Sequence, residues 1–544
     1  MTVTEATVSR GAALDEAHVG HIHGALGTIL QHDTAPRHTW RARLVTLLAV
    51  LGPGLIVMVG DNDAGAFATY TQAGQNYGTA LLWTLLLLIP VLYVNQEMVL
   101  RLGAVTRVGH ARLILERFGK FWGAFSVIDL FVLNGLTIVT EFIGISLALD
   151  YLGLPKIWGI PIAALLVVAA ASTGNFRRFE RFSLILVAGS FLLVPIILIV
   201  HPPLGQIARD FVVPRIPAEG ELSDVMLLII AIVGTTVAPW QLFFQQSYVV
   251  DKRLTSRFVN YERADLIIGI VIVIIGGVAM MAFAAAAFDG TPEFGKFTDA
   301  GGIAVGLEKY AGPVAGVLFA LALIDASIIG AAAVSLSTAY AIGDVLSLRH
   351  SLHRKPAQAK GFYAVYGGLI AGAAALVLIP NAPLGLLTEA VQTLAGVLLP
   401  SATVFLLLLC NDKAVLGPWV NRRWVNLFTG TVIAVLVMLS LILTASVLYP
   451  EMSGGSIVDI LVGGSIVAVV IFLVSEIYRR RDKGRADLRR EHRARATWYM
   501  PPLETLEPAK LTLLNRMWMI VLRGYLIGAC GLVIVRVVQL ATGG

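Results

Sequence analysis

A hydrocarbon bilayer offers no partner to a peptide N–H or C=O, so a chain crosses it only where its helices satisfy their own backbone. Any interruption of such a helix must be met by protein, water or an ion. This chain interrupts two of its apolar segments, at Gly60-Asp61-Asn62-Asp63-Ala64-Gly65-Ala66 and at Gly234-Thr235-Thr236-Val237-Ala238-Pro239-Trp240-Gln241. Broken helices at corresponding positions in two halves of a membrane protein point to a transport site. The two carboxylates in the first break point to a cation.

Composition places the chain in a membrane: 57% of its 544 residues are hydrophobic and 14% charged, with a mean hydropathy of +0.79. Apolar segments are expected near 43–67, 78–103, 121–150, 157–173, 182–201, 223–250, 262–288, 313–342, 361–380, 383–411, 425–449 and 454–477. Residues 517–541 read as a thirteenth span or an interfacial helix, because Arg523 and Arg536 interrupt an apolar run.

The net charge of +6 matters less than where the cations fall, since basic loops stay on the cytoplasmic side. Alternate loops are basic throughout. Arg37, Arg41 and Arg43 precede the first segment, Arg101, Arg107, Arg112, Arg117 and Lys120 follow the second, and Arg177, Arg178 and Arg181 follow the fourth. Lys252, Arg253, Arg257 and Arg263 follow the sixth, and the phase holds to the run from 479 to 495. A multi-pass protein of the cell membrane with a cytoplasmic N-terminus is the expectation.

The breaks in the first and sixth segments imply an inverted repeat of five helices plus five. The expected organisation is a cytoplasmic tail (1–42), a ten-helix core (43–411, repeats about 43–201 and 223–411), accessory helices 11 and 12 (425–477), a basic cytoplasmic connector (478–516) and the possible helix 517–541. No apolar signal-peptide core is visible in the first 36 residues. They read as a disordered, solvated tail in preference to a metal site built from His18, His21 and His23. Cys410 and Cys530, both in apolar stretches, suggest neither a disulfide nor a thiolate site.

Charges inside membrane segments are costly and therefore informative, and the five expected here, Asp61, Asp63, Asp129, Glu141 and Asp325, are all acidic. Without a matching Lys or Arg, such a path attracts cations and repels the carboxylate of an amino acid. Glu141 reads either as a cap for unwound amides or as a proton-binding group. Asp129 reads as facing water, and Asp325 as a hydroxyl partner or part of the ion path. No histidine lies inside a segment, which argues against zinc. Oxygen remains, from carboxylates, from Gln241 and Gln392, from hydroxyls and from freed carbonyls, and hard divalent cations prefer oxygen.

At these residues the chain resembles the NRAMP family of divalent-metal transporters, which have the leucine-transporter fold. The resemblance rests on Leu51-Gly52-Pro53-Gly54, on Gly60 to Ala66 against the family's Gly-x-x-Asp-Pro-Gly-Asn, on Thr140-Glu141-Phe142-Ile143-Gly144, on Arg177 to Arg181, on Arg263-Ala264-Asp265, and on Gln392 ahead of Pro400. It implies an all-α polytopic protein with a 5+5 inverted repeat, broken helices 1 and 6, and additional C-terminal helices.

In typical members the ion is held by the motif's Asp and Asn, by a Met of the sixth helix, and by a carbonyl three residues before that Met. Asp63 is kept, Ala66 and Ala238 replace the Asn and the Met, and the carbonyl belongs to Thr235. Trp240, Gln245 and Ile138 stand where the family's proton-linked residues stand, and Leu398 where it has a second Gln. Loss of a thioether removes the preference for softer metals.

The resemblance therefore implies the NRAMP-related magnesium-transporter branch, with weak or absent proton coupling. Asp63, Thr235, Gly60, Asp61, Gln241 and Gln392 are the expected metal residues, and Ala66, Ala238 and Trp240 shape the site. Asp61 binds through water or lines a vestibule, and Glu141 is gating or proton-linked. The expectation is an alternating-access carrier of Mg²⁺ and Mn²⁺. It acts as a monomer in the lipid bilayer, with the divalent ion as substrate, no resident cofactor and no nucleic-acid partner. A proton-coupled Mn²⁺ or Fe²⁺ symporter is the alternative, followed by a sodium-coupled organic-solute carrier or a sensor. An enzyme is disfavoured, since Asp61 and Asp63 share one break and no His-Glu-x-x-His occurs.

Overall fold

The computed structural model describes residues 16–33, 35–217, 221–380, 400–449, 455–466 and 498–509, with isolated positions 391, 469, 495, 524 and 531. The chain is a helical bundle. The first half contains α1 (Trp40–Val50), α2 (Pro53–Val59), α3 (Ala64–Tyr77), α4 (Trp83–Thr106), α5 (His110–Phe118), α6 (Lys120–Tyr151), α7 (Lys156–Ala171), α8 (Phe176–Gly189) and α9 (Leu193–Val200). After α10 (Leu204–Val212) the second half runs through α11 (Leu222–Thr236), α12 (Pro239–Asp251), α13 (Val259–Phe288), α14 (Ala300–Ala311), α15 (Pro313–Val345) and α16 (Lys360–Val377). It continues in α17 (Pro400–Asn411), α18 (Lys413–Leu416) and α19 (Arg423–Leu448).

Among the described residues eight spans are long and apolar enough to cross a membrane, or ten if α1 with α2, bent by 53°, and α17 with the helical turns after it, bent by 62°, each count as one. The expected spans at 383–411 and 454–477 are described only in part, and those parts are helical. Residues 517–541 and most of the basic connector lie outside the described residues.

Each half opens on an interrupted helix, α2 with α3 and α11 with α12. Both are packed inside the bundle: α13 lies on α2 and α3, α12 on α4 and α15, and α15 on α6. The sequence of α13 shows how one helix serves lipid and core. Ile267, Val271 and Ile275, one turn apart, are about half exposed (49%, 51% and 59%), while Ile270, Val273 and Ile274 are buried. Side chains four apart share a face, so one stripe meets lipid and the others meet protein.

The basic loops gather at one end, where the structure corrects two expectations. Lys252, read from sequence as a loop cation, is fully buried and paired with Glu180 at 2.6 Å. Its ammonium also donates to the carbonyls of Val50 (2.5 Å) and Leu51 (2.9 Å), the orphan acceptors at the end of α1. Beside it, Asp265 accepts from the amides of Gly52, Gly54 and Leu55 at 3.1, 2.7 and 3.2 Å, the orphan donors at the start of α2. Gly52 has to be glycine, for its φ is +152° and a Cβ would meet the Glu180 carboxyl carbon at 2.9 Å and the Lys252 ammonium at 3.1 Å.

The second correction concerns the N-terminal tail, which is docked rather than solvated over 16–33. Ile22–His23 and Thr28–Ile29 pair as a small antiparallel hairpin, with Ile22 and Ile29 in the core. The loop between them donates the Ala25 amide to Glu180 (2.5 Å) and receives Arg177 on the Gly24 carbonyl and Arg181 on the Ala25 carbonyl, each at 3.0 Å. Arg253 holds the carbonyls of Ala17 and His21, and His18 is only 2% exposed. Composition reads such a segment as disordered because its partners are arginines far away in sequence, two in α8 and one in the turn after α12.

The buried ion pair yields a test. Removing one member strands a buried charge at a cost of ~3–5 kcal/mol, whereas replacing both with apolar residues is often close to neutral. Glu180→Leu is therefore expected to lower the thermal unfolding midpoint in detergent sharply, and Glu180→Leu with Lys252→Met to recover most of that loss. Additive losses in the double variant would refute the pairing.

Candidate cation site

The first break starts where α2 meets Gly60 and the run Asp61-Asn62-Asp63, residues whose side chains compete with helix for backbone partners. Asp63 caps α3, its carboxylate accepting from the Ala66 amide at 2.9 Å. The Ala64 amide donates instead to Glu141 of α6 at 3.1 Å. In an unbroken helix that amide would have closed onto the carbonyl of Gly60, so the Glu141 cap leaves this carbonyl without its helical partner. Glu141 thus makes the capping contact that is one of its two roles in the sequence reading. Helix α15 reaches Glu141 because residue 330 is glycine: a Cβ there would stand 2.8 Å from the Glu141 carboxyl carbon.

The second break follows from Pro239. The carbonyl of Thr235 looks four residues on for a donor and finds a proline, which has no N–H. Helix α11 ends at Thr236 and α12 restarts behind Ala238, which supplies no side-chain cap. Buried amides hold the two breaks together. The Gln241 side chain donates to Asp61 and, at 3.3 Å, to the Thr236 carbonyl, while its own oxygen accepts from Gln96 of α4 at 3.0 Å. Tyr70 and Thr236 share a hydroxyl hydrogen bond of 2.7 Å, and Asn62 donates to the Val273 carbonyl at 3.2 Å.

Asp63 and Thr235 both lie beside Gly65: a Cβ on Gly65 would lie 3.2 Å from the Asp63 carboxylate and 3.7 Å from the Thr235 hydroxyl. Trp240, 2% exposed, packs its ring where a Gly60 Cβ would stand 3.5 Å away. The Trp240 carbonyl accepts from Ser337 at 2.8 Å, which ties the second break to α15.

The structure thus brings Gly60, Asp61, Asp63, Ala66, Thr235, Gln241, Trp240 and Glu141 to one region, with Ala238 partly buried at the head of α12. Gln392 and Leu398 lie outside the described residues. Gln241 has both ends of its amide engaged, so it orients Asp61. Asp129 accepts from Ser401 at 3.3 Å, and Asp325 packs over Gly189 of α8. Sequence reading by charge missed Gln96, Asn62 and Tyr70. The detectable signal for the first was an amide pair, Asn95-Gln96, within the apolar run of α4.

Several buried oxygens here lack a hydrogen-bond partner among the described residues: one of Asp61, one of Glu141, and the amide oxygens of Asn62 and Gln96. An unpartnered buried acceptor costs ~1–3 kcal/mol, and a cation with its water shell relieves that cost. Among the described residues no three His, Cys, Asp or Glu side chains converge to cage a metal. What the region offers is carboxylate, carbonyl and amide oxygen.

Residues 54–446 match the family described as natural resistance-associated macrophage protein-like, Nramp. A relative named "Divalent metal cation transporter MntH" from Latilactobacillus sakei is 27% identical over 462 residues, covering 79% of this chain and 96% of the relative. One of the same name from Ralstonia nicotianae is 31% identical over 423 residues, covering 74% and 92%. The crystal structure of a manganese transporter from Eremococcus coleocola has the same fold, with a TM-score of 0.62 at 21% identity over 85% of this chain and 98% of that one. That fold is the leucine-transporter type with its inverted repeat.

The Glu141 cap is separable from its charge. Glu141→Gln keeps an acceptor for the Ala64 amide and is expected to unfold near the parent temperature, while Glu141→Ala leaves a buried amide unpaired and loses ~1–3 kcal/mol. Equal stability of the two variants would show that the cap contributes nothing.

Proposed function

The chain belongs to the Nramp family and is a carrier rather than an enzyme, and from that premise we propose that it moves Mg²⁺ and Mn²⁺ across the membrane by alternating access, with weak or no coupling to protons. The observation that carries the reading is the pair of neighbouring breaks, with Asp63 and Thr235 both beside Gly65 and no Met, Cys or His within 60–66 or 234–241. Asp63 anchors the ion directly or through water, and the freed carbonyls of Gly60 and Thr235 add oxygen. Asp61, held by Gln241, acts through the water shell, and Gln392 is a further oxygen donor. Methyl groups at Ala66 and Ala238 leave room for a partly hydrated ion, and Mg²⁺ characteristically keeps several waters while using one or two carboxylates. The names of the relatives, for divalent cations and for manganese, support Mn²⁺ among the cargo. The chain works as a monomer in the cell membrane, with its basic end in the cytoplasm.

A second reading is a proton-coupled Mn²⁺ or Fe²⁺ symporter. It is favoured by the position of the Glu141 carboxyl beside that of Asp63, with one Glu141 oxygen unbonded. Metal-driven acidification of the vesicle lumen would support it.

Reconstituted protein should take up Mg²⁺ and Mn²⁺ in mutual competition. Asp63→Ala should weaken half-saturation on the order of 100-fold, the equivalent of about 3 kcal/mol for a charge-assisted contact. Ala238→Met, which restores a thioether, should raise Cd²⁺ uptake relative to Mg²⁺. Entry of Mn²⁺ without entry of, or competition from, Mg²⁺ would overturn the selectivity.

A further inference from the structure

The basic end carries a second polar feature, lined by no residue of either break. A cavity of about 1140 Å³ opens between the docked N-terminal segment, the end of α4, the turn joining α12 to α13, and the loop leading into α19. Among the described residues seven arginines line it against two carboxylates, Asp33 and Glu97. Both carboxylates are already engaged: Glu97 pairs with Arg263 at 2.6 Å and Arg101 at 3.3 Å, and Asp33 pairs with Arg37 at 2.7 Å.

Three other arginines hold neutral acceptors. Arg107 donates to the His18 carbonyl at 3.2 Å, Arg253 to the carbonyls of Ala17 and His21, each at 2.9 Å, and Arg257 to the Ala35 carbonyl at 2.9 Å. A carbonyl satisfies an N–H and leaves the positive charge standing. Desolvation accordingly draws Arg107 and Arg253 below the usual guanidinium range, with Asp251 opposing it only at the second. Arg422 stands exposed at the lip.

The rest of the rim indicates where the cavity sits. Trp424 and Tyr499 are 58% and 81% exposed beside Val420 and Val425. Aromatic side chains with one apolar and one wet edge collect at headgroup depth. Basic pockets between membrane helices at that depth accept phosphate-bearing headgroups, and guanidinium forks match phosphate oxygens. The volume lies just above the ~300–1,000 Å³ usual for small-molecule pockets, so it admits more than a bare phosphate.

We propose that this cavity is a binding site for a phosphate-bearing anion, the headgroup of an anionic lipid, held by Arg107, Arg253, Arg257 and Arg422. Because Arg107 and Arg253 also clasp the N-terminal segment, the anion and that segment meet on the same cations.

The test uses the full-length protein in detergent, titrated with cardiolipin, phosphatidylglycerol, phosphatidylcholine, ATP or pyrophosphate, and read by native mass spectrometry and thermal unfolding. Cardiolipin and phosphatidylglycerol are expected to bind and to raise the unfolding temperature, phosphatidylcholine is not, and added salt should weaken the effect. Arg422→Gln, at a side chain with no hydrogen bond to lose among the described residues, should bind about tenfold more weakly while unfolding like the parent without lipid. Arg257→Gln is the second variant and should also bind more weakly, with a small loss of stability because it gives up its bonds to the Asp33 and Ala35 carbonyls. Binding of ATP or pyrophosphate with indifference to lipid charge would uphold the anion site and assign it a soluble ligand. No preference for any anion, or binding unchanged in both variants, would overturn the proposal, and neither result bears on metal uptake.

Discussion

Everything in this structure turns on the demand that backbone polar groups removed from water find partners. A helix meets that demand by itself, and two helices here do not. At the first break Asp63 and Glu141 accept the amides that the turn exposes. At the second, Pro239 removes one donor altogether and Gln241 covers the Thr236 carbonyl. What stays open near the first break includes one oxygen of Asp61 and one of Glu141, and the carbonyls of Gly60 and Thr235 have lost their helical donors to the Glu141 cap and to Pro239. A surplus of acceptors in a buried region is an electrostatic description of a cation site.

The same demand governs the bend between α1 and α2 at the basic end. There the orphan carbonyls go to Lys252 and the orphan amides to Asp265, while Glu180 balances Lys252 and reaches the N-terminal hairpin. Three buried charges, from α8, the residue closing α12, and α13, therefore hold the start of the broken helix, and the tail is fastened to the same group. On the proposed alternating-access reading, movement of α1 and α2 exchanges these bonds for others. The clamp and the cation site sit at the two ends of one short helix, α2.

Much of this was legible in the sequence for physical reasons that act locally. Spans are set by apolar length, and the helices observed over 120–151, 222–251, 259–288 and 313–345 lie within a few residues of the apolar segments read there. The breaks were marked by Gly, Asp and Pro, which disfavour helix whatever surrounds them. Other features were not legible, because they depend on which loops meet. Lys252 satisfies a charge rule for loops and yet is buried, since its partner Glu180 comes from another helix. The tail has too little apolar residue to order itself, and borrows its order from Arg177, Arg181 and Arg253. Gln241 had the right chemistry for a ligand, and only its neighbours Gln96 and Asp61 reveal that its amide is engaged at both ends.

Sequence by itself determined a bundle of membrane helices with two breaks, acidic residues in the first, and no Met, Cys or His within either break. Those are properties of residue type and spacing, which no packing can alter. Tertiary structure decided which freed groups stay free. A carbonyl is a ligand only if no amide, hydroxyl or ammonium from elsewhere reaches it first, and that depends on neighbours far apart in the chain. By that rule Val50 and Leu51 lost their carbonyls to Lys252, while the helical donors of the Gly60 and Thr235 carbonyls were removed by Glu141 and Pro239.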